Sequence, residues 1–262
     1  AFSYKPGFAI NPLKFVNGIA KYALSKKLKI FEHTKVDKID KENGSYALRT
    51  KEGSIRSKKI VVATNGFYQE GLIPQMDGRV LPVISNIIVT RKLNEDEMNA
   101  HNFKTFSPIA NTKNLLYYYR KLPDNRILFG TRGDLTGSDQ SNLAMSKKME
   151  KFLKNIFPKW SNVTIDYNWR GLIALSQKLT PSIGKIDNEE IYYGFGYNGV
   201  GVSAAPWTGK QLSKLVFSSN SKELDISKIY KGLPKKFIFP QLRTFYFRLA
   251  VWFYAIKDKL NI

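Results

Sequence analysis

The chain has 262 residues, of which 43% are hydrophobic, so it can bury a core and is not disordered throughout. It contains no cysteine and two histidines. This excludes disulfide scaffolds, thiolate zinc sites, cysteine nucleophiles and cofactors tethered through cysteine, and no metal site is predicted. The formal net charge of +21 attracts polyanions, from nucleic acid to phosphate-bearing cofactors.

The positive charge is spread along the chain rather than concentrated in one segment. Most of the basic residues are lysines, which occur in short scattered pairs such as Lys26-Lys27, Lys58-Lys59 and Lys147-Lys148. No zinc finger or other nucleic-acid-binding motif accompanies them. We therefore expect solvated lysine faces and no nucleic-acid partner, and docking on nucleic acid or on an anionic membrane is the alternative.

The N-terminal residues lack the basic segment and apolar stretch of a signal peptide. The sequence starts at Ala1 without an initiator methionine, as a piece of a longer chain would. No segment has the ~20 uninterrupted apolar residues of a membrane span, since the nearest candidate, residues 245–256, contains Arg248. We expect a cytoplasmic protein.

The first quarter of the chain predicts a helix followed by short strands. Asn11 can cap a helix, and Pro12 suits its first turn. Residues 60–63 are a continuous apolar run, typical of a parallel strand buried on both faces, and they end in the turn Thr64-Asn65-Gly66. Shorter strands are predicted between the helix and this run, at residues 28–31, 36–40, 45–50 and 54–58.

The middle of the chain predicts a mostly antiparallel sheet with one covering helix. The helix is expected at residues 143–157, where Pro158 ends it. Strand alternation places Tyr118 on the same face as Leu116 and Arg120. β-Branched or aromatic strands are predicted at residues 83–91, 115–120, 126–130, 164–169 and 171–175.

The last part of the chain predicts a strand, a glycine-rich turn and a helix. The buried strand at residues 191–195 is followed by Gly196, Gly199 and Gly201, and a helix is expected at 202–216. Backbone N–H groups and a helix N-terminus at such a turn suit a phosphate or a flat ligand. The tail ends in an aromatic and basic helix at 241–260, for which weak peripheral membrane contact is an open expectation.

Acid–base catalysis by side chains has little support. His33 and His101 lie in predicted turn or loop segments, where structural roles are expected, and the carboxylates are mostly isolated among lysines. The arginines at the ends of the middle strands, Arg120, Arg132 and Arg170, can bind anions bidentately or form surface ion pairs. No catalytic residue is assigned, and a cofactor that carries the chemistry is the simplest hypothesis.

Six segments, taken in chain order, carry a family pattern. They are Asn11-Pro12 with the helix after it, residues 33–39, 60–66 and 126–130, Trp169-Arg170-Gly171, and residues 196–202. This ordered set resembles the flavin-dependent D-amino-acid oxidase-like family, the group of glycine and sarcosine oxidases, and within it the gamma-glutamylputrescine oxidoreductase branch. The resemblance covers nearly all of residues 8–217.

The resemblance implies an enzyme that binds FAD and acts on a small amine or amino acid. A hydride would pass to the flavin from the carbon that bears the amine, and the imine would then be hydrolysed. Val36 would meet the adenine through its main chain. The implied cofactor-binding set is completed by Ala63, Thr64, Asn65, Gly196, Tyr197, Asn198, Gly199, Val200 and Gly201. The residues implied on the substrate side are Tyr118, Arg120, Trp169 and Arg170.

The sequence departs from the family pattern in three ways. It lacks the N-terminal strand–GxGxxG–helix that seats the pyrophosphate, so the chain is predicted to be truncated. It has no cysteine for a covalent attachment, so FAD would be bound non-covalently. Where the family usually has Thr-Pro-Asp-Gly, this chain has Thr180-Pro181-Ser182-Ile183, which leaves the substrate preference open.

The expected fold class is therefore mixed α/β, with part of a FAD/NAD(P)-binding Rossmann-like domain and an inserted antiparallel substrate domain. The domains are predicted at residues 1–75 and 176–218 (FAD-binding), 76–175 (substrate-binding) and 219–262 (a basic aromatic helical tail). Two alternatives to an active oxidoreductase stay open. One is a basic module that docks on anionic membrane or nucleic acid, and the other is an inactive fragment.

Overall fold

The computed structural model describes residues 7–217 and 226–260, so predictions about residues 1–6 and the boundary at 218–219 lie outside the described residues. The α-helices are Pro12–Ser25 (α1), Glu95–Ala100 (α2), Asp139–Ile156 (α3), Gly201–Phe217 (α4) and Arg243–Leu260 (α5). The strands are Val36–Glu42 (β1), Ser45–Thr50 (β2), Ser54–Ser57 (β3), Ile60–Val62 (β4), Leu81–Thr90 (β5), Ile109–Ala110 (β6), Tyr117–Lys121 (β7), Ile127–Arg132 (β8), Ile165–Leu175 (β9), Ser182–Lys185 (β10) and Ile191–Phe195 (β11).

The described chain forms two compact units. The flanking unit contains residues 12–82, 173–217 and 226–243, and the middle unit contains residues 83–172 together with 7–11 and 244–260. The sequence predicted divisions after residues 75 and 175, whereas the structure divides the chain after 82 and 172. The described part of the region predicted as a separate tail, residues 226–260, is shared between the two units.

The flanking unit has its core around a sheet with the order β10-β11-β4. The central strand β11 is buried along its whole length, and it runs parallel to β4. Helix α4 packs closely on it because Gly194 has no side chain, and a Cβ there would lie 2.8 Å from Leu212 Cδ1. The expectation that β4 is buried on both faces is wrong, since Val61 is 46% exposed on this edge strand.

A second sheet of this unit contains β1, β2 and β3 in antiparallel order, and these correspond to the short strands predicted at residues 36–40, 45–50 and 54–58. Tyr46 on β2 links this sheet to the turn before β11. Its hydroxyl donates to Glu189 Oε2 at 2.6 Å and accepts from the N–H of Glu190 at 2.8 Å. The predicted strand at residues 28–31 is wrong, because these described residues pair with no described strand.

The middle unit is built on a five-stranded sheet with the order β6-β7-β8-β5-β9. One face packs against α3 through a core that contains Phe129, Leu153 and Trp160. Helix α3 starts before the predicted position because the Ser138 hydroxyl caps it, accepting from the N–H of Ser141 at 3.1 Å. Strand β9 is one continuous strand where the sequence indicated two.

Helix α2 begins with a complete capping box. The Asn94 side chain accepts from the N–H of Glu97, and the Glu97 carboxylate accepts from the N–H of Asn94. Arg91 Nη2 also lies 2.6 Å from Glu97 Oε1. The hydrogen bond from Arg91 is the main cause that lowers the pKa of Glu97 to about 2.

Candidate cofactor and substrate sites

The carboxyl ends of two parallel strands lie side by side in the flanking unit. β4 and β11 pair in parallel, with Ile60 opposite Ile191 and Val62 opposite Tyr193. The loops that follow these strands therefore start at the same edge of the sheet. Ligands of open parallel sheets bind at this edge. We call residues 63–65 and 196–201 the carboxyl-edge site.

Asn65 connects the two loops of the carboxyl-edge site. Its Oδ1 accepts a hydrogen bond from the N–H of Gly196 at 3.0 Å, across 131 positions of sequence. Asn65 also has a positive φ of 49°, a conformation that asparagine adopts more readily than most residues. Gly196 is buried, so its N–H would be left unpaired without this acceptor. Backbone conformation and hydrogen bonding thus both account for asparagine at position 65.

Asn198 holds the glycine-rich loop against the end of β9. Its N–H donates to the carbonyl of Ala174 at 3.0 Å, and its Oδ1 accepts from the N–H of Ser176 at 2.9 Å. Like Asn65, it has a positive φ, of 51°. The loop is therefore ordered by contacts within the protein before any ligand is considered.

The last residues of the loop are open and lead directly into α4. Gly199 has a φ of 99°, and a Cβ built on it would meet nothing within 4 Å. Val200 and Val202 are 57% and 54% exposed. The N–H groups at the start of α4, beginning at Gly201, precede the first acceptors of the helix and carry its positive dipole end. This surface offers hydrogen-bond donors and apolar contact to a flat, electron-rich ring.

The other predicted cofactor residues occupy different positions. Ala63 and Thr64 are exposed beside Asn65, whereas the Tyr197 side chain is buried beneath the loop, where burial raises the pKa of its phenol. Val36 is half-buried at the first position of β1, where a β-bulge separates it from Lys38. The structure thus places all the predicted cofactor residues except Val36 at one sheet edge.

In the middle unit, Tyr118 lies on the face of the sheet that is opposite α3. It pairs across the strands with Gly130, and its ring occupies the space that a Cβ on Gly130 would need. Its hydroxyl lies 3.0 Å from the Ser85 hydroxyl. Its neighbours Tyr117 and Tyr119 point the other way into the core, where burial raises the pKa of both phenols. The predicted alternation along this strand is therefore present.

The remaining predicted substrate residues are divided between the two faces. Arg120 shares the face of Tyr118 by alternation, and its Nη2 donates to the carbonyl of Ile10 at 3.1 Å. Arg170 lies on the α3 side, donating to the carbonyl of Ser138 at 2.7 Å and to Asp139 Oδ1 at 3.0 Å.

Trp169, which precedes Arg170 in β9, is 44% exposed and points to the face of Tyr118. That face therefore carries Tyr118, Arg120 and Trp169. Strands β7 and β9 are separated by three strand spacings, which places Trp169 about 14 Å from Tyr118 and Arg120 across the sheet.

Ser85 was not among the predicted site residues, and Arg132 was predicted only as one of three arginines that can bind anions. The two residues are paired across β5 and β8, so they share a face with Tyr118. The signal for Ser85 was a polar Ser85-Asn86 pair inside an apolar strand. We call Ser85, Tyr118, Arg120 and Arg132 the polar face of the sheet.

Comparison with known proteins gives a family match over most of the chain. The model for the family described as DAO, FAD dependent oxidoreductase, matches residues 1–215. The probable oxidoreductase OrdL of Haemophilus influenzae is 28% identical over 260 residues, which are 95% of this chain and 56% of that protein. The gamma-glutamylputrescine oxidoreductase of Escherichia coli K12 is 28% identical over 259 residues, which are 98% of this chain and 58% of that protein.

Solved structures show the same fold. Glycine oxidase from Geobacillus kaustophilus matches with a TM-score of 0.68 and 17% identity, covering 85% of this chain and 57% of that one. L-Proline dehydrogenase from P. horikoshii matches with a TM-score of 0.64 and 21% identity, covering 80% of this chain and 56% of that one. The predicted fold class and family resemblance are confirmed, and the chain spans a little over half the length of the relatives it matches.

Proposed function

We propose, since the chain belongs to the DAO family of FAD dependent oxidoreductases, that it forms part of an enzyme that oxidises the C–N bond of a small amine or amino acid. The observation that carries this proposal is the carboxyl-edge site. Two parallel strands end there, Asn65 connects their loops, and a helix begins at the glycine-rich turn. Such an edge is suited to a nucleotide cofactor.

The residues at this edge fit the isoalloxazine part of a flavin. A side chain at Gly199 would be strained by its φ of 99°, yet the space around it is open to a ring. The N–H groups of Gly199 and Gly201 would donate to the carbonyl edge of the ring and favour negative charge there, whereas the N–H of Val200 already donates to the carbonyl of Tyr197 at 3.0 Å. Ala63, Thr64 and Asn65 would contact the nucleotide, and the main chain of Val36 would meet the adenine. Because the sequence has no cysteine, we propose non-covalent binding.

When bound, FAD would accept a hydride from the carbon that bears the amine, and water would hydrolyse the imine. The residues of the polar face would then bind and orient the substrate. The Ser85 hydroxyl fixes the Tyr118 hydroxyl at 3.0 Å, and Arg120 and Arg132 supply positive charge for a carboxylate. Trp169 would form an apolar wall. Arg170 is already engaged by Ser138 and Asp139, so as a substrate ligand it would need to exchange these contacts.

Uncovered apolar surface on the flanking unit supports the proposal that further polypeptide completes it. None of the α1 residues, all of which the structure describes, is buried, and Leu13 is 69% exposed. Phe31 and Val61 are 59% and 46% exposed. Large apolar side chains exposed to this extent are typical of an interface. We propose that the strand–GxGxxG–helix missing from this sequence comes from polypeptide outside the chain and covers this surface.

The visible flavin spectrum after purification tests the proposal. We expect little flavin on the 262-residue chain, and stoichiometric FAD on a version extended by the reading frame upstream of Ala1. Stoichiometric FAD on the shorter chain would refute the proposal that this chain lacks the pyrophosphate-binding loop. Absence of flavin from the extended protein would refute the proposal that it is a flavin-dependent enzyme. Acid precipitation that releases all of the flavin into the supernatant is the result expected for non-covalent FAD.

A cytoplasmic location is part of the same proposal. Within the described residues, we find no helix with the length and apolarity required to cross a bilayer. Fractionation of cells into soluble and membrane portions, with a high-salt wash of the membranes and an antibody against the protein, tests the location: a cytoplasmic protein is soluble or is released from the membranes by salt.

A further inference from the structure

The inner face of helix α5 is occupied by contacts with the rest of the middle unit. Phe247, Val251 and Ala255 line a cavity of about 580 Å³ against β7 and α3. Near the end of the helix, the Asp258 carboxylate accepts from the N–H groups of Asn114 and Leu115, each at 2.8 Å. These contacts fix the rotation of the helix about its own axis, and with it the side chains that face outward.

The outward side of α5 is a continuous apolar stripe. It consists of Phe245, Leu249, Trp252, Phe253, Ile256 and Leu260, which are between 38% and 67% exposed. At 3.6 residues per turn, all six fall within about 100° of the helix circumference. The stripe runs from Phe245 to Leu260 along the helix, so at 1.5 Å per residue it is roughly 24 Å long. Nothing in the described chain covers it.

Basic residues border this stripe, and no acidic residue lies on it. The ammonium group of Lys257 lies 5.7 Å from the centroid of the Phe253 ring, on one side of the stripe. Arg248 and Lys259 are exposed on the other side. Asp258, the one acidic residue in the α5 sequence, points inward to its two backbone partners. The border of the stripe is therefore positively charged.

We propose that the outer face of α5 docks in the interface of an anionic lipid bilayer, with its axis parallel to the membrane plane. An apolar stripe bordered by lysine and arginine is the pattern of interfacial helices, whose rings enter the acyl boundary while the cations bind anionic headgroups. The exposed Trp252 lies in the middle of the stripe, and indole rings favour this interface. The net charge of +21 adds a general attraction to the same surface.

Vesicle sedimentation of the 262-residue chain tests the proposal. We expect binding to phosphatidylcholine vesicles that contain phosphatidylglycerol, much weaker binding to pure phosphatidylcholine, and weakening by salt. Leu249→Glu should reduce the binding at least about ten-fold, because a leucine that would enter the bilayer is replaced by a charge that anionic lipid repels. The matched control is Leu143→Glu, which adds the same charge to another exposed helical leucine of the middle unit, and should change binding less than about two-fold.

Trp252→Phe separates insertion from folding. This variant keeps an aromatic ring in the stripe, so it should bind within about two-fold of the parent. It should lose most of the blue shift in tryptophan emission that vesicle binding causes in the parent, because Trp252 is the tryptophan that would enter the bilayer. Equal binding by Leu249→Glu and Leu143→Glu would overturn the proposal, as would equal binding to neutral and anionic vesicles or no binding at all. None of these measurements requires flavin, so their outcome is independent of the proposed activity.

Discussion

Replacing Asn65 tests how the two loops of the carboxyl-edge site are held together. In Asn65→Ala, the N–H of Gly196 loses its acceptor, which costs about 1–3 kcal/mol for a buried donor. Alanine must also adopt the positive φ of 49°, at a cost of about 1–2 kcal/mol. The variant should therefore lower the free energy of unfolding of the flanking unit by about 2–5 kcal/mol.

Two companion variants separate these contributions. Asn65→Gly removes the acceptor but tolerates the backbone conformation, so it should cost only the hydrogen-bond part, about 1–3 kcal/mol. Asn65→Asp keeps a carboxyl oxygen in place of the amide oxygen and tolerates the same φ, so it should cost less than about 1 kcal/mol.

Urea unfolding followed by circular dichroism measures these differences, and hydrogen exchange of the peptide that contains residues 191–200 reports the local effect. Exchange at Gly196 should be faster in Asn65→Ala and Asn65→Gly but not in Asn65→Asp. Equal unfolding and equal exchange in all three variants would show that the hydrogen bond from Gly196 to Asn65 does not stabilise the carboxyl-edge site.

Three further predictions concern individual residues. Gly199→Ala should lower the free energy of unfolding by about 1–2 kcal/mol in urea titrations, because Gly199 has a φ of 99°. The control is Gly209→Ala inside α4, where φ is not positive and the space is open, and it should raise the free energy of unfolding by up to about 1 kcal/mol. The pKa of Glu97 is lowered from 4.5 to about 2, so its contribution to the free energy of unfolding is complete above pH 4.5 and is lost as the pH falls toward 2. The urea midpoint of Glu97→Gln should not show this loss at low pH, and equal acid sensitivity of the two proteins would count against the ion pair. Gly130→Ala should displace the Tyr118 ring and destabilise the middle unit by about 1–3 kcal/mol, with an increased KM in the flavin-loaded enzyme; an unchanged urea midpoint would contradict this packing.

Local sequence patterns were sufficient for most of the secondary structure. The helix predicted after Asn11, the strands predicted in residues 36–58 and the buried strand predicted at 191–195 each depend on near neighbours in sequence, and the structure contains these elements. Residues 28–31 have the same apolar character but form no strand, because a strand requires a partner that local composition does not supply. Val61 is exposed for a related reason, because β4 lies at the edge of its sheet and local composition does not show which strands have neighbours on both sides.

The candidate site shows the same division. Asn65 and the glycines at 196, 199 and 201 were identified from turn chemistry, which is encoded in adjacent residues. The hydrogen bond between Asn65 and Gly196 spans 131 positions and could be seen only after β4 and β11 were paired. The family resemblance implied that both Trp169 and Arg170 lie on the substrate side, yet strand geometry directs adjacent side chains to opposite faces.

The sequence by itself determined the chemistry that this chain can and cannot carry. The absence of cysteine and the scarcity of histidine excluded several kinds of site, and six ordered segments resembled a flavin-dependent family, which the family match confirmed. Only the tertiary structure decided which residues share an edge or a face: the loops joined by Asn65, the polar face around Tyr118 and the outward stripe of α5. The physical reason is that composition and local conformation depend on neighbours along the chain, whereas a binding surface depends on strand register and helix rotation, which long-range packing sets.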